Sequence, residues 1–560
     1  MDIAEKFADE SDTAPTVAPE VAQGMPEVAQ GLPEVVPLEV KPVSPDVGQD
    51  QRAVVAEVVA AVIAKAGSLA VVETSEPPLK ANKLVVDRTT GLPHIVVRSN
   101  PNVFTVLVSS KYAEALIREA ARKKNKRLNR TGVNDVKYQL QSEAELLNII
   151  VDIWFRVAPV PGGVKFDIGD SEHTRVRVTA GKVEIVTSGS QTLFSRSPGM
   201  LPMAMPADIG DIRLLKKYVN LHPVGYVLWL AWVTYTMATP KKASSKFPIM
   251  DLHGGEGSGK SALAKRTQCL IDPNRVGLQR LPKTEKDFAV AAQSAHVLAF
   301  DNLRFISHET ADTLCMASTG GNVVSRALYT DGDQSILSLH VAVILNGIPN
   351  VVDQPDLAQR TLQLHVLPLS ENARRSEADM EAELALDLPA IQRGLFDLIA
   401  KIFEQLPHVK LTRPSRMLDF SRWLAAMELV DGAPQGAYQE EYLHTLNQAQ
   451  LDSVLDNPLA AEVLAFAERL PAGEVWSGTP SSLLNALNRF VDTGTASSLG
   501  WPTNVIALSK RLLPLQTALR SQGVLVELSR GKERTITLKW VEGFARATSF
   551  GAAVGDDLDL

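Results

Sequence analysis

The chain has 560 residues, of which 45% are hydrophobic and 22% charged, and its formal net charge is -7. This composition is ordinary for a soluble protein of several domains and argues against a surface that binds polyanions everywhere. Neither Cys269 nor Cys315 has a Cys or His at ligand spacing, which disfavours a disulfide framework or a zinc site. No secretory signal is recognised, and the most apolar run, 224–238, is shorter than the ~20 residues of a membrane span, so we predict a buried helix there. We therefore expect a cytoplasmic protein without a membrane segment.

The first 80 residues differ from the rest in charge and proline content. Residues 1–50 carry eleven acids and two lysines, and AQGMPEV at 22–28 is followed by AQGLPEV at 29–35. A segment of this composition buries too little apolar surface to fold. We therefore predict a disordered acidic tail over 1–80, with a short helix at 54–66. A solvated tail is favoured over a docking peptide.

The remaining chain divides by its local patterns. Residues 81–240 predict a small α+β domain, since short apolar strand patterns flank helical patterns at 111–130 and 143–155. Seven cations against one acid between residues 118 and 130 lean modestly toward nucleic acid. Strands and helices alternate over 241–370, which predicts a parallel α/β sheet. We expect a helical segment at 371–454, a helical and stranded unit at 455–545, and an acidic tail at 546–560.

The strongest local pattern is GGEGSGKS at 254–261, which fits G-x-x-x-x-G-K-[ST] without a gap. It follows an apolar strand pattern at 247–252 and opens a helix. Glycines let backbone amides turn toward a phosphate, the lysine reaches the β- and γ-phosphates, and the hydroxyl takes one position on Mg²⁺. We therefore predict that ATP and Mg²⁺ bind here, through Lys260 and Ser261. The other predicted nucleotide contacts are Gly254, Gly255, Gly257, Ser258, Gly259 and Ala262.

Three downstream residues extend this site. The apolar run 297–300 ends in Asp301, about forty residues after the loop, which predicts the strand whose carboxylate holds Mg²⁺. A later apolar strand pattern ends in Asn346, whose amide can orient the attacking water. Arg360 can face the γ-phosphate of a neighbouring subunit. A salt bridge with Asp356 is the alternative for Arg360, and without the order of motifs it would be favoured.

The residue after Asp301 is an asparagine, Asn302, where many P-loop ATPases place a water-activating glutamate. Two interpretations stay open at this point. Either the base lies elsewhere, with Glu256 and Glu309 as candidates, or hydrolysis is slow.

The order of these motifs resembles that of the AAA+ ATPases, and more closely the superfamily 3 and minichromosome-maintenance helicases. A hairpin between the Asp301 and Asn346 strands, at 323–329 and 335–339, supports the resemblance. Its acidic tip disfavours a phosphate contact there, although Arg326 can still serve in a pore or at the ATP. The segments HGGEGSGKSALAK, VLAFDNL, STGGNVVSRALYTDGD, ILNGIP and DLAQRTLQLHV are similar to ATP-binding proteins of phages and integrative elements. That resemblance covers about residues 150–440, and it implies a relation to primase–helicases.

The C-terminal unit has the pattern of a winged helix, because helices are followed by a hairpin with a basic tip at 523–540. Its cations are predicted to neutralise DNA phosphates with little sequence readout. They are Lys510 and Arg511 on the helix and Arg530, Lys532 and Arg534 in the wing. A solvated charged turn in a protein-binding domain is the alternative.

These patterns and resemblances imply a P-loop AAA+ core with an accessory domain before it and a helical lid and winged helix after it. The implied function is an ATP-dependent DNA helicase or replication initiator of a phage or mobile element. It would act as a homo-oligomeric ring, as a hexamer, on single-stranded DNA, with duplex DNA at the winged helix and replication proteins at the acidic tail. The alternative is a nucleotide-gated assembly or adaptor ATPase, such as a helicase loader or defence ATPase, without unwinding activity. A primase is disfavoured, since no acidic triad precedes the loop.

Overall fold

The computed structural model describes residues 46–65, 84–99, 102–186, 192–242, 244–326, 334–347, 352, 354–369, 375–470, 474–496, 501–530 and 534–541. The chain divides into two units, 1–51 and 52–560, and only the start of one helix is described in the first. The predicted acidic tail at 546–560 and most of the predicted N-terminal tail lie outside the described residues. No helix in the described part is long and apolar enough to span a membrane.

The first folded module, residues 52–151, has three helices and a four-stranded sheet. Its elements begin with α1 (Asp46–Lys65), β1 (Leu84–Asp87), β2 (Pro93–Ser99) and β3 (Asn102–Leu107), followed by α2 (Lys111–Lys123), α3 (Arg130–Leu147) and β4 (Ile150–Val151). The strand order is β3-β2-β1-β4, and β4 alone runs parallel to its neighbour. Val58 of α1 and Ile117 of α2 are fully buried in one apolar cluster with α3. This packing stabilises the module.

Two predictions for this module need correction. Residues 46–65 form α1, which includes most of the helix predicted at 54–66 but begins eight residues earlier. Val55, Val58 and Val62 are buried, so this part of the predicted tail is folded because it buries an apolar face. The second helix covers 130–147 rather than 143–155. It begins there because the Asn129 side chain accepts a hydrogen bond from the Gly132 amide at 2.8 Å, and it ends at Asn148 in the left-handed conformation.

An antiparallel sheet and two helical segments follow. The strands, in the order β5-β6-β7-β8, are β5 (Val157–Val160), β6 (Gly163–Asp167), β7 (Arg175–Thr179) and β8 (Lys182–Val186). A 3-10 helix at Ile212–Lys217 leads to α4 (Pro223–Ala238), which forms the helix predicted for the most apolar run. Trp229 and Trp232 of α4 are fully buried, since its residues are apolar on all sides.

A parallel sheet lies at the centre of the chain. Its elements are β9 (Ile249–His253), α5 (Lys260–Ile271), α6 (Glu285–Gln293), β10 (Val297–Leu303), α7 (His308–Thr319), β11 (Asn322–Arg326), β12 (Gln334–Ser338), β13 (Ala342–Gly347), α8 (Pro355–Ala358) and β14 (Thr361–His365). The strand order is β10-β13-β9-β14, all parallel, while β11 and β12 form a separate antiparallel hairpin. The carboxyl ends of these parallel strands therefore meet at one edge. The hairpin agrees with the prediction, and its tip, 327–333, lies outside the described residues.

The central sheet separates two apolar clusters. Leu263 of α5 and Trp229 of α4 belong to the cluster on one face, together with residues of β6 and β7. Phe288 of α6 and Leu314 of α7 belong to the cluster on the other face. The Trp229 indole also donates a hydrogen bond to the Thr267 hydroxyl of α5 at 2.9 Å. Helix α4 thus packs with the central sheet, although the sequence placed it in the preceding domain.

Helices and a small sheet complete the chain. They are α9 (Glu377–Gln405), a 3-10 turn (Leu406–His408), α10 (Leu418–Asp431), α11 (Ala437–Asp456), α12 (Pro458–Glu468), β15 (Val475–Gly478), α13 (Pro480–Leu487), α14 (Thr493–Ala496), α15 (Val505–Ser521), β16 (Val524–Arg530) and β17 (Arg534–Trp540). The last sheet is antiparallel in the order β15-β17-β16 and packs on α12, α13 and α15 in one cluster. Helix α15 continues through Pro514.

A buried arginine joins the antiparallel sheet to the central one. Arg156 precedes β5 in a left-handed conformation (φ 62°), and its Nε donates to Asp272 Oδ1 at 3.0 Å. The other carboxylate oxygen of Asp272 accepts from the His296 amide at 2.6 Å. Asp272 directly follows α5 and His296 directly precedes β10. Arg156 therefore fixes the end of one helix and the start of one strand relative to the antiparallel sheet.

Arg156→Met should lower the stability of the protein strongly, because the buried Asp272 would lose its partner. Breaking a buried ion pair on one side costs about 3–5 kcal/mol. Arg88→Met is the matched control, since Arg88 pairs with Asp152 at 3.0 Å with 61% of its side chain exposed, and exposed pairs contribute about 0–1 kcal/mol. Thermal unfolding measures both variants. Equal midpoints for the two would contradict the role assigned to Arg156.

Candidate phosphate-binding site

The loop between β9 and α5 has a backbone that depends on glycine. Gly254, Gly257 and Gly259 have φ values of 148°, 73° and 86°, a region that residues with a Cβ rarely adopt. A Cβ on Gly254 would lie 2.6 Å from the Val366 carbonyl oxygen. The Ser258 hydroxyl donates to the Gly255 carbonyl at 3.0 Å and closes the turn. The backbone of this loop therefore requires glycine at these positions of the sequence pattern.

The side chain of Lys260 folds back over this loop. Its Nζ donates to the carbonyl oxygens of Gly254 at 2.9 Å and Gly255 at 2.7 Å. Gly259 precedes α5 without a side-chain cap, so the first amides of the helix have no capping acceptor. An amine and the N-terminus of a 12-residue helix thus lie at one loop, and both favour an anion such as phosphate.

Three predicted residues meet beside the loop. The Ser261 hydroxyl donates to Asp301 Oδ1 at 3.0 Å. The Asn346 amide donates to the same Asp301 oxygen at 2.5 Å and to Ser261 Oγ at 3.0 Å. Asp301 lies on β10, Asn346 on β13 and Ser261 at the start of α5. The parallel sheet therefore brings together residues that are 40 to 85 positions apart.

This arrangement fits a magnesium ion. Hydroxyl and carboxylate oxygens are the ligands that Mg²⁺ prefers, and it is usually held by one or two protein groups together with substrate phosphates. Ser261 and Asp301 supply those two groups, and Lys260 lies one residue away on the chain. No cluster of three or more His, Cys, Asp or Glu side chains suited to a metal occurs among the described residues. Bound there, Mg²⁺ would neutralise phosphate charge.

The residue after Asp301, where many P-loop ATPases have a glutamate that activates water, is Asn302 and carries no carboxylate. Asn302 is exposed and has a φ of 60°, and its backbone amide donates a hydrogen bond to Asp301 Oδ1 at 2.8 Å. Asparagine tolerates this left-handed backbone better than most residues. Glu256 in the loop and Glu309 in the first turn of α7 are both exposed. Both stay candidates for activating water.

Arg360 has a partner within its own chain. Its Nη2 lies 3.1 Å from Asp356 Oδ2, and only 10% of its side chain is exposed. Arg416 also contacts Asp356. The structure thus contains the salt bridge that the sequence offered as the alternative. A role of Arg360 toward a neighbouring subunit stays a prediction.

The predicted DNA contacts differ in their surroundings. Lys510, Arg511 and Arg534 are exposed, and Arg511 also donates a hydrogen bond to the Trp501 carbonyl at 2.9 Å. Arg326 and Arg530 lie in β11 and β16, but their side chains, like all of Lys532, lie outside the described residues.

The basic helix α2 and the turn after it carry fewer free cations than the sequence suggests. Three of its seven cations form ion pairs, which are Arg118 with Glu114, Lys123 with Glu119 and Lys126 with Glu57. This pairing favours the interpretation as a solvated face.

One residue of the central sheet was missed by the sequence patterns. Asp251 of β9 is 1% exposed, and within the described part of the chain neither of its carboxylate oxygens accepts a hydrogen bond, although Nδ1 of His253 lies 3.9 Å from Oδ2. Burial raises the pKa of this carboxyl to about 7. The only signal in the sequence is a single acid within the apolar pattern at 247–252. Two residues later, β9 ends at His253 and the phosphate loop begins.

Comparisons with solved structures give weak likenesses. Two structures of the NrS-1 C-terminal region, the A form apo structure and the apo structure of its residues 305–718, share 11% and 12% sequence identity with the chain. Each aligns over 82% of this chain and 95% of its own, with TM-scores of 0.34 and 0.33. No curated protein matches the chain.

Two family models match the chain. Residues 214–449, from the 3-10 helix before α4 to α11, match the actinomycete integrative conjugative element replication protein. Residues 459–549 match the C-terminal domain of the RepA protein of the same elements. Together the two matches cover more than half of the chain, including the loop at 254–261 and the C-terminal sheet. The chain belongs to the family of replication proteins of actinomycete integrative conjugative elements.

Proposed function

We propose that this replication protein is an ATP-dependent DNA helicase or replication initiator built on an AAA+ core. The observation that carries the proposal is the contact of Ser261, Asp301 and Asn346 beside the loop that holds Lys260. This cluster offers a hydroxyl and a carboxylate, the groups with which P-loop ATPases hold Mg²⁺ beside ATP, and it lies within residues 214–449, which match the replication protein family.

The residues have distinct tasks in this proposal. Lys260 leaves the loop carbonyls and binds the β- and γ-phosphates, while the backbone amides of the loop surround them. Ser261 and Asp301 hold Mg²⁺, which supplies charge neutralisation at the phosphates. The amide of Asn346 lies within hydrogen-bond distance of both and is placed to orient an attacking water. Catalysis then consists mainly of positioning and electrostatic stabilisation.

The C-terminal unit is proposed to be a winged helix that binds duplex DNA. Its elements follow the order helix, strand, three helices, strand, strand, with the first strand beside the last. Lys510 and Arg534 are exposed on the helix and the hairpin and would contact phosphates. Because such contacts carry no sequence information, we expect salt-dependent affinity with little sequence preference.

The active form is proposed to be a homo-oligomeric ring, as a hexamer, that moves along single-stranded DNA. Arg360 would then leave its partner Asp356 and face the γ-phosphate of the neighbouring subunit. The aspartate of this ion pair is 55% exposed, whereas the side chain of Arg360 is 10% exposed, so this role requires Arg360 to leave a largely buried position. A ring closed by symmetry would give every site the same neighbour.

A second candidate is a nucleotide-gated assembly or adaptor ATPase without unwinding activity. Asn302 is the observation that favours it, because Asp301 is not followed by a carboxylate. In that case ATP binding would drive assembly and hydrolysis would be slow.

The proposed function is tested by the ATPase rate with and without single-stranded DNA, measured alongside native mass. A helicase predicts stimulation by the DNA and a ring-sized oligomer in the presence of ATP and Mg²⁺. Slow hydrolysis that DNA does not change, together with an ATP-dependent oligomer, would support the adaptor. A monomer that does not bind ATP would contradict both.

Lys260→Ala should weaken ATP binding by about 10- to 100-fold or more, since it removes a charged hydrogen-bond donor to the phosphates. Lys265→Ala is the matched control, because Lys265 lies on the same helix but pairs with Glu377 at 3.5 Å. Titration with a fluorescent ATP analogue measures both. Equal affinities would exclude the loop as the nucleotide site.

Asn302→Glu should raise the ATPase rate by on the order of tenfold, since it places a carboxylate beside Asp301. A positioned base contributes about 10²–10⁴-fold, and the left-handed backbone at residue 302 offsets part of that gain. Asn302→Ala serves as the control and should show no acceleration. Single-turnover hydrolysis measures the step directly. If the Glu variant is no faster, the base lies elsewhere, and Glu256→Gln and Glu309→Gln become the decisive variants.

A further inference from the structure

A segment with exposed cations lies beside β10, the outermost strand on one side of the central sheet. Residues 275–286 carry four cations and one acid, whereas the whole chain has a net charge of -7. The segment contains Arg280 and Lys283, both exposed. In the part of the chain that the structure describes, neither side chain has an ion pair or a hydrogen bond. Unpaired cations of this kind favour an anionic partner.

The segment is held against the strand that carries Asp301. The backbone amide of Gln279 donates a hydrogen bond to the Ala299 carbonyl at 3.0 Å, and the backbone amide of Asp301 donates one to the backbone carbonyl of Gln279, also at 3.0 Å. Farther back, the Arg275 amide donates to the Gly199 carbonyl at 2.8 Å. These bonds fix the backbone that carries the cations, so less entropy is lost when a ligand binds.

Two further exposed side chains, Arg304 and Phe305, follow directly after the end of β10. The backbone bridge between Gln279 and Phe300 is parallel, so both chains advance toward the same edge of the sheet. Lys283 follows the bridge by four residues, and so does Arg304. Arg304 is exposed without an ion pair among the described residues, and Phe305 is 70% exposed. We call Arg280, Lys283, Arg304 and Phe305 the edge strip.

We propose that the edge strip is a binding site for single-stranded nucleic acid, with phosphates at its three cations and a base stacked on Phe305. Cations next to an exposed aromatic ring are the combination that binds single strands without sequence preference. The proposal deepens the proposed function, since it supplies a nucleic-acid contact on the ATPase core itself. The Gln279–Asp301 hydrogen bond also connects this contact directly to a residue of the phosphate-binding site.

The test compares R280Q/K283Q with R88Q/R213Q in the full chain. Both double variants lose two positive charges, but Arg88 and Arg213 are exposed and already paired, with Asp152 at 3.0 Å and Asp211 at 2.9 Å. The affinity for a fluorescent oligothymidine is measured at several salt concentrations without nucleotide. We expect R280Q/K283Q to bind about tenfold more weakly or worse, with the slope of log affinity against log salt reduced by about 1.4. The control should bind as the unchanged protein does.

Phe305→Ala tests the stacking contact separately. It should weaken oligothymidine binding by about fivefold or more with an unchanged salt slope, while Phe305→Trp should restore the affinity. Equal losses in R280Q/K283Q and the control would overturn the proposal. So would a strip variant that loses affinity for polyglutamate but keeps it for oligothymidine, because the strip would then bind an acidic peptide.

The same variants separate this proposal from the proposed ATPase. Binding of the fluorescent ATP analogue should be unchanged in R280Q/K283Q, and DNA stimulation of hydrolysis should be lost. If the unchanged protein binds no ATP, the proposed function fails while the oligothymidine comparison still decides the strip.

Discussion

The candidate site depends on one carboxylate. Asp301 Oδ1 accepts hydrogen bonds from the Ser261 hydroxyl, the Asn346 amide and the backbone amide of Asn302. Those donors come from the start of α5, the end of β13 and the end of β10, so a single oxygen connects three elements. The parallel order β10-β13-β9 is what allows this, because the carboxyl ends of such strands lie at the same edge.

A buried carboxylate, that of Asp272, anchors the opposite ends of the same elements. Asp272 closes α5, accepts from the amide that precedes β10, and pairs with the fully buried Arg156. The helix after the phosphate loop and the strand that carries Asp301 are therefore both tied to the antiparallel sheet of β5–β8. A buried pair of this kind adds little net stability, but it is costly to break on one side. It gives the molecule a rigid joint between that sheet and the site.

Local patterns in the sequence were enough to predict the glycine-rich loop before α5, Asp301 on its strand, the hairpin and α4, because each signal lies within a few adjacent residues. Contacts set by distant residues could not be predicted. Arg156 finds its partner 116 positions away, and Asp251 appears in the sequence as one acid in an apolar strand. The start of α3 was misplaced because apolar spacing at 143–155 outweighed the cap at Asn129. Arg360 shows the converse, since its nearby aspartate was offered as the alternative and is its partner in the fold.

The proposed function is a motor that acts on DNA, and unwinding is the property that separates such a motor from an adaptor. Strand displacement on a forked duplex, followed by fluorescence with Mg²⁺ and ATP, tests this most directly. The proposed helicase should displace the strand when ATP is present and should not do so when ATP is replaced by a non-hydrolysable analogue. Tight ATP binding and a stable oligomer with no displacement on forks of either polarity would contradict it.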